Sequence, residues 1–82
     1  MTLDLSDYFV LRAIVQAPHT CQGRIPLSSI SESTGLSPAT IKRRIKVLAI
    51  HNLIHYEKVN GRHLRFEIVP AAYVELNNVG LI

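Results

Sequence analysis

The sequence predicts a mainly α domain with a small β-hairpin, in the order helix, short strand, helix, helix, two-stranded hairpin. Three observations carry this. Residues 36 to 54 combine a helix start signal, an apolar stripe and four cations. A shorter helical stretch precedes them, separated only by Gly35, Leu36 and Ser37, which is the spacing of a helix-turn-helix. Two stretches of alternating hydrophobicity then follow around Val59-Asn60-Gly61-Arg62, as in a hairpin. With 82 residues, 48% of them apolar, the chain is long enough for one core and one small domain.

Ser6 or Asp7 can cap a first helix running to about Ala17, with Phe9, Val10, Ala13, Ile14 and Ala17 as its apolar stripe and Pro18 close behind its end. Pro18 to Arg24 lacks periodicity and reads as a loop. Ile25-Pro26-Leu27 can form a brief strand against a later sheet edge, where proline is tolerated. Ser28 or Ser29 opens a second helix over Ile30 to Thr34, and Gly35 supplies the positive φ of a tight exit.

The next helix is the most strongly signalled. Ser37 can cap it with its hydroxyl, and Pro38 fits the first helical position, where an N–H would lack a partner anyway. Ile41, Ile45 and Leu48 recur at helical spacing and face a core, so Ala39, Lys42, Arg43 and Lys46 project from the opposite side. A helix that is apolar on one side and small and cationic on the other can enter a DNA groove. Arg44 lies at the edge of the packing stripe and is expected to snorkel.

Asn52 can take a left-handed conformation after this helix, and Leu53 to Lys58 and His63 to Val69 read as strands. Side-chain facing tests the turn between them. A two-residue Asn60-Gly61 turn would pair Phe66 with His55 and Leu64 with Glu57, mixing apolar and polar residues on one face. A three-residue loop, Val59 to Gly61 with Gly61 at a left-handed bulge, pairs Tyr56 with Leu64 and Ile54 with Phe66, leaving His55, Glu57, His63 and Arg65 on the other face. The three-residue loop is therefore expected. Pro70 ends the second strand and starts a last helical turn through Ala71 to Leu76, broken by Asn77, Asn78 and Gly80.

A net charge of +3 is only mildly basic, but its distribution is informative. Lys42, Arg43, Arg44, Lys46, Lys58, Arg62 and Arg65 are seven of the nine cations, and Glu57 is the only acid between Ser37 and Phe66. Cys21 is the only cysteine, so no intramolecular disulfide forms, and no flanking cation marks it as reactive. No secretory leader pattern and no membrane-length apolar run is present, so a soluble cytoplasmic protein without membrane contact is expected.

His19, Cys21, His51, His55 and His63 show no metal-ligand spacing; His51 and His55 are four apart, but the helix is expected to end between them. No Gly-rich phosphate loop, no paired carboxylates and no nucleophile beside a base point to catalysis. No enzyme activity, metal or cofactor is expected.

The run from Ile25 to Ile30, then Gly35-Leu36-Ser37-Pro38-Ala39-Thr40-Ile41, Ile45, Leu48 and Asn52-Leu53-Ile54, resembles the winged helix-turn-helix domain of bacterial MarR-like and ArsR-like transcription regulators. The resemblance spans roughly residues 25 to 69. It departs from the family at Asn52, where Gly is usual, and at Val47 and Ile50, where charged residues are usual.

This resemblance implies a partner, double-stranded DNA, with a recognition helix over about residues 38–52 in the major groove and a wing over 58–65 on the backbone or minor groove. The expected contacts are Ser37, Ala39, Thr40, Lys42, Arg43 and Lys46 on the helix, with Lys58, Asn60, Arg62 and Arg65 on the wing. Residues 1–70 would form the DNA-binding domain and 71–82 an apolar tail suited to homodimerisation, since two copies read two half-sites. The expected role is a small transcription regulator. Two rivals look alike at this level: the DNA-binding module of a plasmid or phage replication or recombination protein, and a winged helix used only for protein interaction.

Overall fold

The computed structural model of the protein describes residues 3–16, 24–60 and 63–81. In chain order its elements are α1 (Leu5–Gln16), β1 (Arg24–Pro26), α2 (Leu27–Thr34), α3 (Pro38–Ile50), β2 (Ile54–Lys58), β3 (His63–Ile68) and α4 (Pro70–Asn78). The strands form an antiparallel sheet in the order β1-β3-β2, so the short β1 lies on the sheet edge as expected, with Ile25 opposite Leu64. The four helices and three-stranded sheet of the described residues make a winged helix fold.

One core joins these elements. Val10, Leu11 and Ile14 of α1 meet Ile30 of α2, Ile41, Ile45 and Leu48 of α3, and Ile25, Ile54 and Leu64 of the sheet, all buried. The stripe of α1 is rotated from the expected one: Leu11 is fully buried and Phe9 only half-buried. The helix start also differs from the expected one. Asp4, rather than Ser6 or Asp7, precedes the first turn, its carbonyl accepting from the N–H groups of Asp7 and Tyr8. Asp7 sits in that turn and accepts from the Asp4 N–H at 2.8 Å, the returning half of a capping box. Ala17, Pro18, His19 and Cys21 lie outside the described residues.

Helix α2 also starts earlier than expected. Pro26, extended at φ −67° and ψ 140°, occupies its cap position without a side-chain hydrogen bond, so Ser28 and Ser29 fall within the first turn and cap nothing.

The hairpin register differs from the expected one by two residues. Tyr56 pairs with Phe66, Ile54 with Ile68 and Lys58 with Leu64. The N–H groups of Val59 and Asn60 both donate to the His63 carbonyl, and Gly61, expected at a left-handed bulge, lies outside the described residues. A slip of two keeps every side chain on its face, so the alternation could not discriminate the two registers. What selects the observed one is the ladder's extension: the Val69 N–H donates to the Leu53 carbonyl at 3.1 Å, drawing Ile68 against the buried Ile54.

The tail forms more than a single turn. Helix α4 runs through Asn77 and Asn78, and Ala72 and Leu76 are buried in the core. It ends where Gly80 takes φ +77°, with Leu81 N–H donating to Leu76 O at 2.9 Å and Gly80 N–H to Asn77 O at 3.1 Å, the paired bonds of a Schellman cap. Across the α1–α4 contact the Tyr8 hydroxyl donates to Glu75 Oε2 at 3.5 Å. Desolvation, then the nearby Glu75 and Asp7 carboxylates, raise the Tyr8 pKa above its ordinary value.

Candidate nucleic-acid interface

The turn between α2 and α3 is fixed by its own side chains. Gly35 takes φ +73° and its N–H donates to Ser31 O at 2.8 Å. Thr34 Oγ1 donates to Ile30 O at 2.8 Å and accepts from the Leu36 N–H at 3.3 Å, while Ser31 Oγ donates to Leu36 O at 2.7 Å. These bonds satisfy backbone groups that a three-residue turn would otherwise leave unpaired, and they set the angle at which α3 leaves.

At the start of α3 Ser37 accepts from the Thr40 N–H at 3.4 Å, and its hydroxyl lies 3.0 Å from that of Thr40. Pro38 occupies the first helical position, as expected. Ile41, Ile45 and Leu48 are buried, which leaves Ser37, Ala39, Lys42, Arg43 and Lys46 exposed and Thr40 half-exposed. The helix ends at Ile50, two residues earlier than a 38–52 reading, with His51 as its cap and Asn52 leaving it at φ +58°.

The wing brings some expected residues toward α3 and turns others away. Lys58 and Asn60 line a cleft of about 180 Å³ whose opposite wall carries Lys42 and Lys46. Asn60 shapes the wing tip, its Oδ1 accepting from the His63 N–H at 3.0 Å and lying 3.1 Å from His63 Nδ1. A second, open groove runs past Pro38, Lys42, Ser28 and His63, so Lys42 stands at the junction of the two. Arg43 lines neither groove. Arg65 faces the other side of the sheet, where it donates to Glu57 Oε2 at 3.3 Å from the directly opposite strand position. Arg62 lies outside the described residues.

Two residues were not anticipated here. Tyr56 lines the α3–wing cleft and is 39% exposed. Its even-numbered position put it on the inward face, and only its nearness to the wing's open end could have marked it as accessible. Arg44 does not snorkel freely: it reaches Asp4 at 3.3 Å and Asp7 at 3.5 Å. Among the described residues Lys42, Arg43, Lys46 and Lys58 have no acidic partner, so the cationic surface of α3 and the inner wing is uncompensated.

Among the described residues no three His, Cys, Asp or Glu side chains converge as a metal site. No helix among them is long and apolar enough to cross a membrane.

The profile of the winged helix-turn-helix DNA-binding family matches residues 3–49. No curated protein matches the chain in sequence. Among solved structures, the chain superposes with a TM-score of 0.73 on BpsR of Bordetella bronchiseptica, whose DNA binding is regulated by 6-hydroxynicotinic acid. The identity is 19% over 95% of this chain, which spans about half, 53%, of the BpsR chain. The DNA-binding TubR fragment from Clostridium botulinum gives a TM-score of 0.68 at 19% identity, covering 96% of this chain and 99% of the fragment.

Proposed function

The chain belongs to the winged helix-turn-helix DNA-binding family, and from that premise we propose that it reads duplex DNA sequence-specifically as a small cytoplasmic transcription regulator. The observation that carries this reading is the exposed row of Lys42, Arg43 and Lys46 on α3, without an acidic partner among the described residues, of which Lys42 and Lys46 share a cleft with Lys58. Helix α3 enters the major groove and the wing lies along the backbone or minor groove. The short side chains Ser37 and Ala39, with Thr40, let the start of α3 approach base edges, and Arg43 reaches them with a planar fork suited to guanine. Asn60 at the wing, with Arg62 two residues on in sequence, positions the protein on phosphates, while Arg65, matched to Glu57, contributes least.

A homodimer accompanies this function. Leu5 on α1, Tyr73 and Val74 on α4, and Val79 at the cap of α4 are large apolar residues left exposed. Leu5 sits three residues before Tyr8 and Val79 four after Glu75, so both border the Tyr8–Glu75 contact between the two helices. Helix α4 thus covers the core with one side and offers the other to a second copy.

Electrophoretic retardation across a salt series, followed by sequencing of fragments retained from a random duplex pool, tests the proposal. With about four to six phosphates contacted per subunit, log K falls with log salt at a slope near −4 to −5 per subunit. Enrichment of a pseudo-palindromic motif is expected. A flat salt response, or retained fragments with no common motif, overturns the reading.

A further inference from the structure

Lys42 and Lys46 stand four residues apart on α3, so their side chains leave one face of the helix. That face looks across the α3–wing cleft at Lys58, over a floor that includes Ile45 and Leu64. Three lysines line one small cleft with no acid among its lining residues, so their charges add there and an anion between them is favoured.

Resting on the DNA-binding reading above, we propose that this cleft seats one backbone phosphate of the bound duplex, gripped by Lys42, Lys46 and Lys58 with the Tyr56 hydroxyl as a fourth donor. The cleft's about 180 Å³ is far more than the ~10–15 Å³ that one water needs, and leaves room for a phosphodiester group with its oxygens. Ammonium groups suit this ligand because they act as compact point charges that donate from several directions, whereas bidentate base reading favours a guanidinium. Both walls of the cleft belong to elements that track the duplex, so a backbone threaded between helix and wing reaches the seat directly. The assignment divides labour along α3: Lys42 and Lys46 anchor the backbone, and Arg43, which lines neither groove, is left to read bases.

The test neutralises phosphates singly. A set of duplexes carrying the selected site, each with one methylphosphonate linkage, is titrated with the wild type and with Lys46→Ala, Lys58→Ala and Tyr56→Phe variants whose thermal midpoints match it. One position is expected to cost the wild type about tenfold, in line with losing charged hydrogen bonds. At that same position the loss shrinks toward zero in Lys46→Ala and in Lys58→Ala, and falls in Tyr56→Phe. Maximal coupling of Lys46 and Lys58 to different phosphates, or to none, overturns the clamp while leaving the DNA-binding reading intact. Absence of duplex binding overturns that reading instead. Replacing chloride with millimolar inorganic phosphate at constant ionic strength is expected to leave affinity unchanged; a selective loss would make the cleft a free-anion site and reject the backbone assignment.

Discussion

Arg44 of α3 pairs with the buried carboxylate of Asp7 on α1 at 3.5 Å and with the exposed carboxylate of Asp4 at 3.3 Å. Asp7 is 2% exposed, and its other oxygen accepts from the Asp4 N–H that precedes α1. One guanidinium therefore closes the start of the first helix against the middle of the third. A cation that composition assigns to the basic surface is in fact committed to the fold.

Removing one member of such a pair strands the other. A fully buried pair costs about 3 to 5 kcal/mol to break, but the Arg44 side chain is 31% exposed, so solvent screening reduces this to about 1 to 2 kcal/mol for Arg44→Ala. For a domain of this size each kcal/mol lowers the midpoint by roughly 4–8 °C. Replacing both residues, Asp7→Leu with Arg44→Leu, is expected to recover much of that loss, because no unpaired buried charge remains. Calorimetric melting measures both. A neutral Arg44→Ala variant would show that Asp7 finds other partners.

How far the sequence carried depended on whether a signal was local. The α3 cap and stripe, the Gly35 and Asn52 turns and the facing of both hairpin strands rest on nearest-neighbour chemistry, and each is found as expected. The two-residue register difference rests on the bond from Val69 N–H to Leu53 O, which alternation cannot encode. Arg44 with Asp7 spans 37 positions, and no spacing rule links them. The length of α4 was hidden for a similar reason. A nine-residue helix is marginal alone, and it persists because Ala72 and Leu76 are buried against distant residues. At the candidate interface the exposed row on α3 was legible from periodicity, but the division between groove-lining Lys42 and outward Arg43 depends on where the wing sits.

Asn52 supplies a second stability test. It holds φ +58° at the exit of α3, where Leu53 N–H donates back to Leu48 O at 3.1 Å and both leucines are buried. Left-handed backbone costs an L residue about 1–2 kcal/mol, less for Asn and nothing for Gly. Asn52→Gly is expected to stabilise by a few tenths of a kcal/mol, and Asn52→Val to destabilise by about 1 to 2 kcal/mol. Urea unfolding with an unchanged slope reads both; a stabilising Val would contradict the cap geometry.

Base reading and charge matching separate on the DNA side. Arg43→Ala is expected to cost about 1 to 3 kcal/mol on the selected site and to relax its sequence choice. Arg62→Ala, between the two wing strands in sequence, should weaken all duplexes evenly. Glu57→Gln, which releases Arg65 from its 3.3 Å partner and removes an acid, should tighten binding to any duplex and steepen the salt slope. Equal losses for Arg43→Ala on cognate and random DNA would remove Arg43 from the base-reading role.

The raised Tyr8 pKa gives stability a pH dependence of known sign. A group whose folded pKa lies above its unfolded value, about 10 for tyrosine, contributes stability that is complete below the unfolded value and is lost as pH rises through the folded one. Denaturant titrations of the wild type should show stability falling above about pH 10, and Tyr8→Phe should flatten that part of the profile. An unchanged alkaline profile would show that Tyr8 ionises alike in both states.

The homodimer is tested best at α4, and the buried side of that helix decides which variant is informative. Deleting residues 71–82 would strip Ala72 and Leu76 from the core, so loss of DNA binding by such a truncation would report unfolding as readily as dissociation. Val74 and Val79 are 58% and 42% exposed, and charging them leaves the core untouched. If a second copy buries them, each contributes about 1.5 to 3 kcal/mol per subunit when fully removed from water, and a Lys in its place adds a desolvation cost. The wild type is expected to sediment as a dimer at tens of micromolar. Val74→Lys with Val79→Lys should sediment as a monomer with an unchanged far-UV spectrum and bind a two-half-site duplex much more weakly than the wild type, yet match its affinity for a single half-site. A monomeric wild type at that concentration, with and without the duplex, would reject the tail as an interface and leave α4 with its role in the core alone.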